Sequence, residues 1–433
     1  MRRGFRIIVF AMVTLVLIFS VWVNAASPPK PKELSIAAVS GVEVRGLKAI
    51  APIWEKETGI KLKIIEYPYA SLYEKIVTAF QANVSTFDLI MLDDPWMPKF
   101  CSSGWLVPLD KEFGYTKDPD IFQVVYDLGS WPPPRGPVPP GEKGKPRHLY
   151  GITLVGNVEI FMYRKDLVPE PKTWAEVLAN GKKIHNASKP LYGFVIRGAK
   201  GNPVISEFTP ILMAFGGRIF DDNWKVVLNS PESIAALKFF AEDLKAISQP
   251  GCDAYDAGER AQEVAAGRGA QAEVWPAEVT DIVENPEVSK VVGKMAYTVV
   301  PAGPTGVRAP LMGNWLLAIP KASANKHWAY EFITWATSAR IQKIYAENGG
   351  IPFRRSILMD PELNKKYPLF QAMARSLEAP AQWRPRTQDW FAAEAILGTY
   401  VNGTLAGQYK PEEAIAKAAA EIQKYMEEAG YYK

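Results

Sequence analysis

An α/β fold in two or three domains is predicted from three features of the sequence. Apolar runs and amphipathic stretches alternate in the order strand, helix, strand, helix, strand across residues 33–93. The chain has 433 residues, more than a single small core normally serves. A proline- and glycine-rich interruption, WPPPRGPVPPGEKGKPR at residues 131–147, separates that block from a second one. Hydrophobic residues make up 48% and charged residues 22%, the composition of an ordinary globular protein.

The N-terminus reads as a secretory leader over residues 1–25. MRRGFR supplies positive charge, IIVFAMVTLVLIFSVWV is an uncharged apolar core, and NAAS offers small residues for cleavage. The apolar run is longer than the usual ~7–15 residues and close to the ~17 that can span a bilayer, which leaves an uncleaved anchor as the alternative. The small residues after Val23 favour cleavage and export. No cysteine stands near them, so a lipid-modified bacterial N-terminus is excluded. Arg2, Arg3 and Arg6 belong to the leader, which leaves 47 of the 50 basic residues against 46 acidic ones. A near-neutral body carries no electrostatic footprint for nucleic acid or an anionic membrane.

Each element has its own signal. The segment ending in ELSIAAVS is a first strand, and VRGLKAIAPIWEKETG repeats Leu47, Ile50, Ile53 and Trp54 at helical spacing before Gly59 stops it. IKLKIIEY alternates as a strand, ASLYEKIVTAFQAN is helical, and FDLIMLDDPWM ends an apolar strand in two aspartates and a tryptophan. Beyond the proline-rich stretch, YGITLVGN and VEIFMYRKDL read as strands, and KTWAEVLANGKK as a helix. In SPESIAALKFFAEDLKAISQPG, Ser230 is placed to cap, Pro231 fits the first turn, and Gly251 is expected to end the helix. GAQAEVWP is a strand finishing at Trp275, and APLMGNWLLAIP contains another. One long helix is expected from Ala324 to Asn348, with Trp328, Phe332 and Trp335 on one face, and a last amphipathic helix starts at Pro411.

In open α/β sheets ligands bind beyond the carboxyl ends of strands. Asp93, Asp94 and Trp96 occupy such an end, and Trp275 and Trp315, beside Asn314, mark two more strand-like segments. Indole faces stack on the C–H face of sugar rings, while carboxylates and amides bond hydroxyls; paired carboxylates would also suit a glycosidase. Side chains of adjacent strand residues point oppositely, so one of Asp93 and Asp94 faces a cleft. Asp93 is also placed to cap the turn that follows. His148, His185 and His327 are scattered without ligand spacing, so no metal site is expected, and no phosphate loop, dinucleotide fingerprint or nucleophile elbow is present.

With these residues in hand, the chain resembles the sugar-binding family of extracellular solute-binding proteins of ATP-driven (ABC) importers, which includes maltose-, trehalose- and polyol-binding members. FDLIMLDDPWMPKFCSSGWLVPLD, GNVEIFMYRKDL, GRGAQAEVW, GNWLLAIPKASANKHWAYEFITWATS, GGIPFRRSIL and WRPRT carry the resemblance, in that order and across nearly all of the mature chain. It implies a two-lobed periplasmic-binding-protein fold of the Venus-flytrap kind, each lobe a mostly parallel sheet flanked by helices, with hinge crossovers between them. The first lobe would take Glu33 to Arg147 plus Pro304 to Gly350, and the second His148 to Gly303 plus Ile351 to Lys433. A sugar or polyol would bind between the lobes of a periplasmic monomer, with no cofactor and no chemistry, and pass to the importer's transmembrane subunits. A non-sugar solute such as glycerol phosphate or a polyamine is the same-fold alternative, and a secreted glycoside hydrolase a more distant one. Carried over residue by residue, the expected contacts are Asp94, Trp96, Asn157, Trp275, Asn314, Trp315 and Arg354, with Glu43 and Arg386 as weaker candidates. Cys101 and Cys252 would lie in different lobes, where a disulfide would lock a hinge that must open, so free thiols are expected.

Overall fold

The protein is described here by a computed structural model covering residues 28–378 and 382–432; the leader expected at residues 1–25 lies outside these. Strand β1 (Glu33–Val39) is followed by helix α1 (Arg45–Thr58), β2 (Lys61–Tyr67), α2 (Tyr69–Gln81) and β3 (Leu89–Asp93). Gly59 ends α1 in the left-handed conformation expected of it, at φ 72°. After the proline-rich stretch come β4 (Gly151–Val155) and β5 (Ile160–Arg164), then helices α3 (Trp174–Ile184), α4 (Asn202–Ala214), α5 (Pro231–Lys238) and α6 (Ala257–Ala265). Strands β6 (Gln271–Val274), β7 (Met295–Thr298) and β8 (Trp315–Ala318) follow, and the chain closes with α7 (Lys326–Ala336), α8 (Ala339–Glu347), α9 (Trp390–Leu405) and α10 (Pro411–Glu428) among its helices.

These elements build two lobes. The first holds a five-stranded sheet in the order β2-β1-β3-β8-β4, the second a three-stranded sheet in the order β6-β5-β7. Strand β1 runs parallel to β2 and β3, as two right-handed strand–helix–strand units require. Strand direction is more mixed elsewhere than the sequence indicates. Strand β8 returns from the second lobe and runs against both β3 and β4, and β5 is antiparallel to β6 and β7. Strands β3 and β8, inside the first sheet, are buried on both faces, which explains why LIML and WLLA read as continuous apolar runs. A second apolar core, with Phe161, Trp174, Phe208, Trp390 and Leu397, joins the second sheet to α3, α4, α5, α9 and α10.

Three segments cross between the lobes, and they are hydrogen-bonded to one another. Gly313 N–H donates to Asn157 C=O at 3.0 Å and Glu159 N–H to Leu311 C=O at 2.9 Å. Met312 and Gln382 continue the strip, with Met312 N–H on Gln382 C=O and Gln382 N–H on Pro310 C=O, both at 2.8 Å. An ion pair of 2.5 Å between Arg45 on α1 and Asp281 joins the lobes on another side.

Several expectations are corrected. The first sheet takes in Gly151–Val155, so the chain leaves the first lobe after Val155 and not at His148; a buried strand carries no mark of which sheet it joins. Arg354 and Ser356 are tied to Asp118 and Asp120 of the first lobe, so the return to the second lobe comes later than Ile351. The helix expected from Ala324 to Asn348 breaks in two at Thr337–Ser338, where the Ser338 hydroxyl caps α8 by accepting from Ile341 N–H. Ser230 caps α5 as expected, but the helical run beyond it ends at Ile247, short of Gly251. Cys101 and Cys252 are both buried and unpaired.

Candidate ligand-binding site

A cavity of about 140 Å³ lies between the lobes and against the crossing strip. From the first lobe it is lined by Glu43, in the turn Val42–Val44 after β1; by Tyr69, the first residue of α2; by Asp93, the last of β3; and by Trp315, the first of β8. Because β8 is antiparallel to β3, with Trp315 opposite Asp93, its first residue falls at the carboxyl edge of the parallel strands. The second lobe contributes Arg197, Asn202, Trp275 and Glu278, and the crossing segments Asn157, Gly313 and Arg384.

The polar groups are held from behind. Asp93 accepts from Tyr69 O–H at 2.9 Å and, through its other oxygen, from Asp94 N–H at 3.0 Å. Arg384 stands 3.9 Å from Asp93 and 3.5 Å from Asp94. Burial works against the Arg384 charge, but these two carboxylates outweigh it and hold the guanidinium protonated. Arg197 donates to Asp256 and to Ser206, each at 2.8 Å. Glu278 receives both ends of the buried Arg260 guanidinium, at 2.6 and 3.1 Å. Two buried atoms among the lining residues have no partner: Asn157 Oδ1, an acceptor, and Arg384 Nε, a donor. Burial without a partner is costly, so such atoms mark where a guest's hydroxyls belong.

Behind Glu278 the second lobe buries more acid than base. Glu159, Glu207 and Glu273 surround Arg260, and the side chains of Glu159 and Glu273 are hydrogen-bonded to each other. Burial, reinforced by neighbouring carboxylates, pushes Glu159 and Glu273 well above the usual range and Glu207 to about 7. The sign of the pH dependence follows. These groups stay protonated in the fold while the unfolded chain ionises above about pH 4.3, so stability is greatest in acid and falls as pH rises towards the folded values. Asp118 and Asp166, held low mainly by Asp120 N–H and Arg164, act with the opposite sign only below about pH 4. Lowering the pH from about 8 to about 5 should therefore raise Tm, and Glu273→Gln should flatten that slope. A Tm that falls over this range in the unaltered protein would contradict the burial of neutral acids.

The cavity gathers four of the nine expected site residues, Glu43, Asn157, Trp275 and Trp315. The other five are placed elsewhere. Asp94 is fully buried behind Asp93 and accepts from Asn314 N–H at 3.1 Å, so the expected division of labour between the two aspartates is reversed. Asp93 does cap the following turn, yet it is also the carboxylate at the cavity. Trp96 is wholly buried among Tyr73, Phe100 and Trp315, its indole N–H donating to Tyr69. Asn314 turns its amide to Thr153. Arg354 is taken up by Asp118, Asp120 and Thr337 C=O. Arg386 donates to the carbonyls of Asp94, Leu128 and Ser130, while Arg384, two residues earlier in the same WRPRT segment, reaches the cavity. Tyr69, Arg197, Asn202 and Glu278 were not foreseen; three are polar residues at the ends of helices and Arg197 lies in irregular chain, signals too common to stand out.

Trp275 packs against Gly313, where an added Cβ would sit 2.6 Å from two ring carbons. Gly313→Ala should therefore displace the indole and weaken binding by about tenfold with little loss of stability, as read by titration calorimetry beside thermal unfolding. Unchanged affinity would show that the indole position is immaterial.

Two lobes joined by a short strip of paired crossing segments, with aromatic faces and unpartnered polar atoms meeting between them, define a hinged ligand-binding protein. The chain belongs to the family of bacterial extracellular solute-binding proteins, whose model matches residues 39–343. It is 26% identical over 423 residues to a probable amino-acid ABC transporter periplasmic-binding protein of Sinorhizobium fredii, covering 94% of this chain and 93% of the relative. It is 25% identical over 429 residues to the mannitol-binding protein of Pseudomonas aeruginosa, covering 92% and 94%. An ABC transporter solute-binding protein of Agrobacterium radiobacter K84, solved in complex with ribitol, has a TM-score of 0.81 at 28% identity over 92% of this chain and 100% of its own.

Proposed function

We propose that this protein captures a small sugar or polyol between its lobes in the periplasm and presents it, as a monomer, to the transmembrane subunits of an ABC importer. The observation that carries the reading is the pairing, in one cavity, of Trp275 and Trp315 with the unpartnered Asn157 Oδ1 and Arg384 Nε. A polyhydroxylated guest offers C–H faces to the indoles and both donates and accepts through its hydroxyls. The modest cavity, about 140 Å³, favours a monosaccharide or an alditol over an oligosaccharide chain. Relatives that bind mannitol and ribitol support the same class.

No bond is broken in this role. Glu278 is held by Arg260, and Asp93 by Tyr69 and Asp94 N–H, so both serve as fixed acceptors. The test is intrinsic tryptophan fluorescence and thermal shift against a panel of alditols, monosaccharides, oligosaccharides and amino acids. Saturable binding of an alditol or monosaccharide without product is the expected result. Product release from an oligosaccharide, or tight binding confined to amino acids, would replace the reading.

A further inference from the structure

The charges around the cavity do not cancel residue by residue. Glu278 is neutralised by Arg260, Arg384 by Asp93 and Asp94, and Arg197 by Asp256. Glu43 is left over: it lines the cavity and, among the described residues, forms no ion pair. The charged and titratable groups that face it are Glu278 and Asp93, both of its own sign, Arg197, already committed to Asp256, and the phenol of Tyr345 on α8. Among the described residues Glu43 therefore has no cation of its own, since Arg197 is paired with Asp256.

The other residues that line the cavity point the same way. Asn157 Oδ1 is a buried acceptor without a donor. Trp275 and Trp315 line the cavity as well, and the electron-rich face of an indole attracts a cation more strongly than a hydroxyl. An ammonium group presents three donors and a positive charge and can meet all of these together. The remaining wall, with Arg384 Nε and Arg197, suits hydroxyl oxygens. We infer that the preferred ligand is an amine-bearing polyol or sugar, its ammonium group seated against Glu43 between the two indoles and its hydroxyls against Arg384 and Asp93. This rests on the sugar-or-polyol reading above and narrows it to a cationic subclass.

Glu43 also gives the inference a second readout. Burial, with Glu278 and Asp93 beside it, pushes its carboxyl up to about 7, so the site holds a proton near neutrality. An ammonium ligand would expel that proton, and its affinity would rise as the pH passes upward through about 7. A neutral alditol exerts no such demand.

The experiment is titration calorimetry with matched pairs: sorbitol, mannitol, ribitol and glucose, each against the analogue in which a terminal hydroxyl is replaced by an aliphatic amine. Such amines stay protonated across the neutral range, so any pH dependence belongs to the protein. In at least one pair the amine should bind about tenfold tighter than its hydroxyl partner, the gain of a charge-assisted hydrogen bond over a neutral one. Its advantage should grow between about pH 6 and pH 8. In Glu43→Gln the ratio of the two affinities should fall to about one. If neutral members bind and no amine exceeds its partner, the amine inference is overturned and the sugar-or-polyol reading stands. If the ratio survives in Glu43→Gln, the amine does not sit at Glu43 and the inference is overturned on geometry. If no member of any pair binds, both readings fall together.

Discussion

Replacing Arg260 by methionine is expected to destabilise the protein by about 3–5 kcal/mol at pH 8, the usual result of stripping a buried ion pair of one partner. The guanidinium is fully buried, bonded to Glu207 and bidentate to Glu278. Methionine fills most of the space but leaves the carboxylates without a counter-charge. They would answer by taking up protons, so the loss should shrink as the pH is lowered towards about 5. Urea unfolding at the two pH values measures both effects. A variant as stable as the unaltered protein at pH 8 would show that Arg260 contributes nothing net to that core. Because Glu278 lines the cavity, the same variant should also bind ligand more weakly.

Trp275→Ala is the second large effect, and it should fall on binding. The indole closes one side of the cavity and rests on Gly313, so its removal leaves a gap that water fills on both occasions, ligand present or absent. A loss of about 100-fold in affinity, about 3 kcal/mol, is expected for an aromatic anchor at the centre of a small site. Stability should suffer less than in Trp174→Ala, whose indole is enclosed by Phe161, Phe194 and Phe239 and whose loss should cost about 3–5 kcal/mol. Comparing calorimetric affinity and thermal unfolding in the two variants separates the roles. Near-normal affinity for any panel ligand in Trp275→Ala would remove the indole from the site.

The sequence conveyed the alternation of strand and helix and the strand ends that carry Trp275 and Trp315, because periodicity and strand ends are local properties, but not where the chain crosses between the lobes. It did not convey which of two neighbouring charges faces the ligand. Asp93 and Asp94 must diverge, but the choice is made by Trp315 pairing with Asp93 and by Asn314 binding Asp94, contacts made across more than two hundred residues. Arg384 and Arg386 pose the same difficulty. Each is an arginine beside proline, and only the carbonyls of Leu128 and Ser130 on one side and the aspartates on the other tell them apart. Arg354 was misplaced for a related reason: its partners Asp118 and Asp120 form a local trap that no pattern announces. Glu43, a contact that only the family resemblance implied, follows the first strand at once and lines the cavity.

The order of strands in the first sheet bears on when the molecule can form. Strand β8 sits between β3 and β4, so β4 has no neighbour in that sheet until residues 315–318 are available. The second core likewise waits for α9 and α10, which end at Glu428. Neither half can be completed from an N-terminal fragment, and the contacts that complete them span long stretches of chain, a property that slows folding. A polypeptide built this way stays open while its far end is still being made.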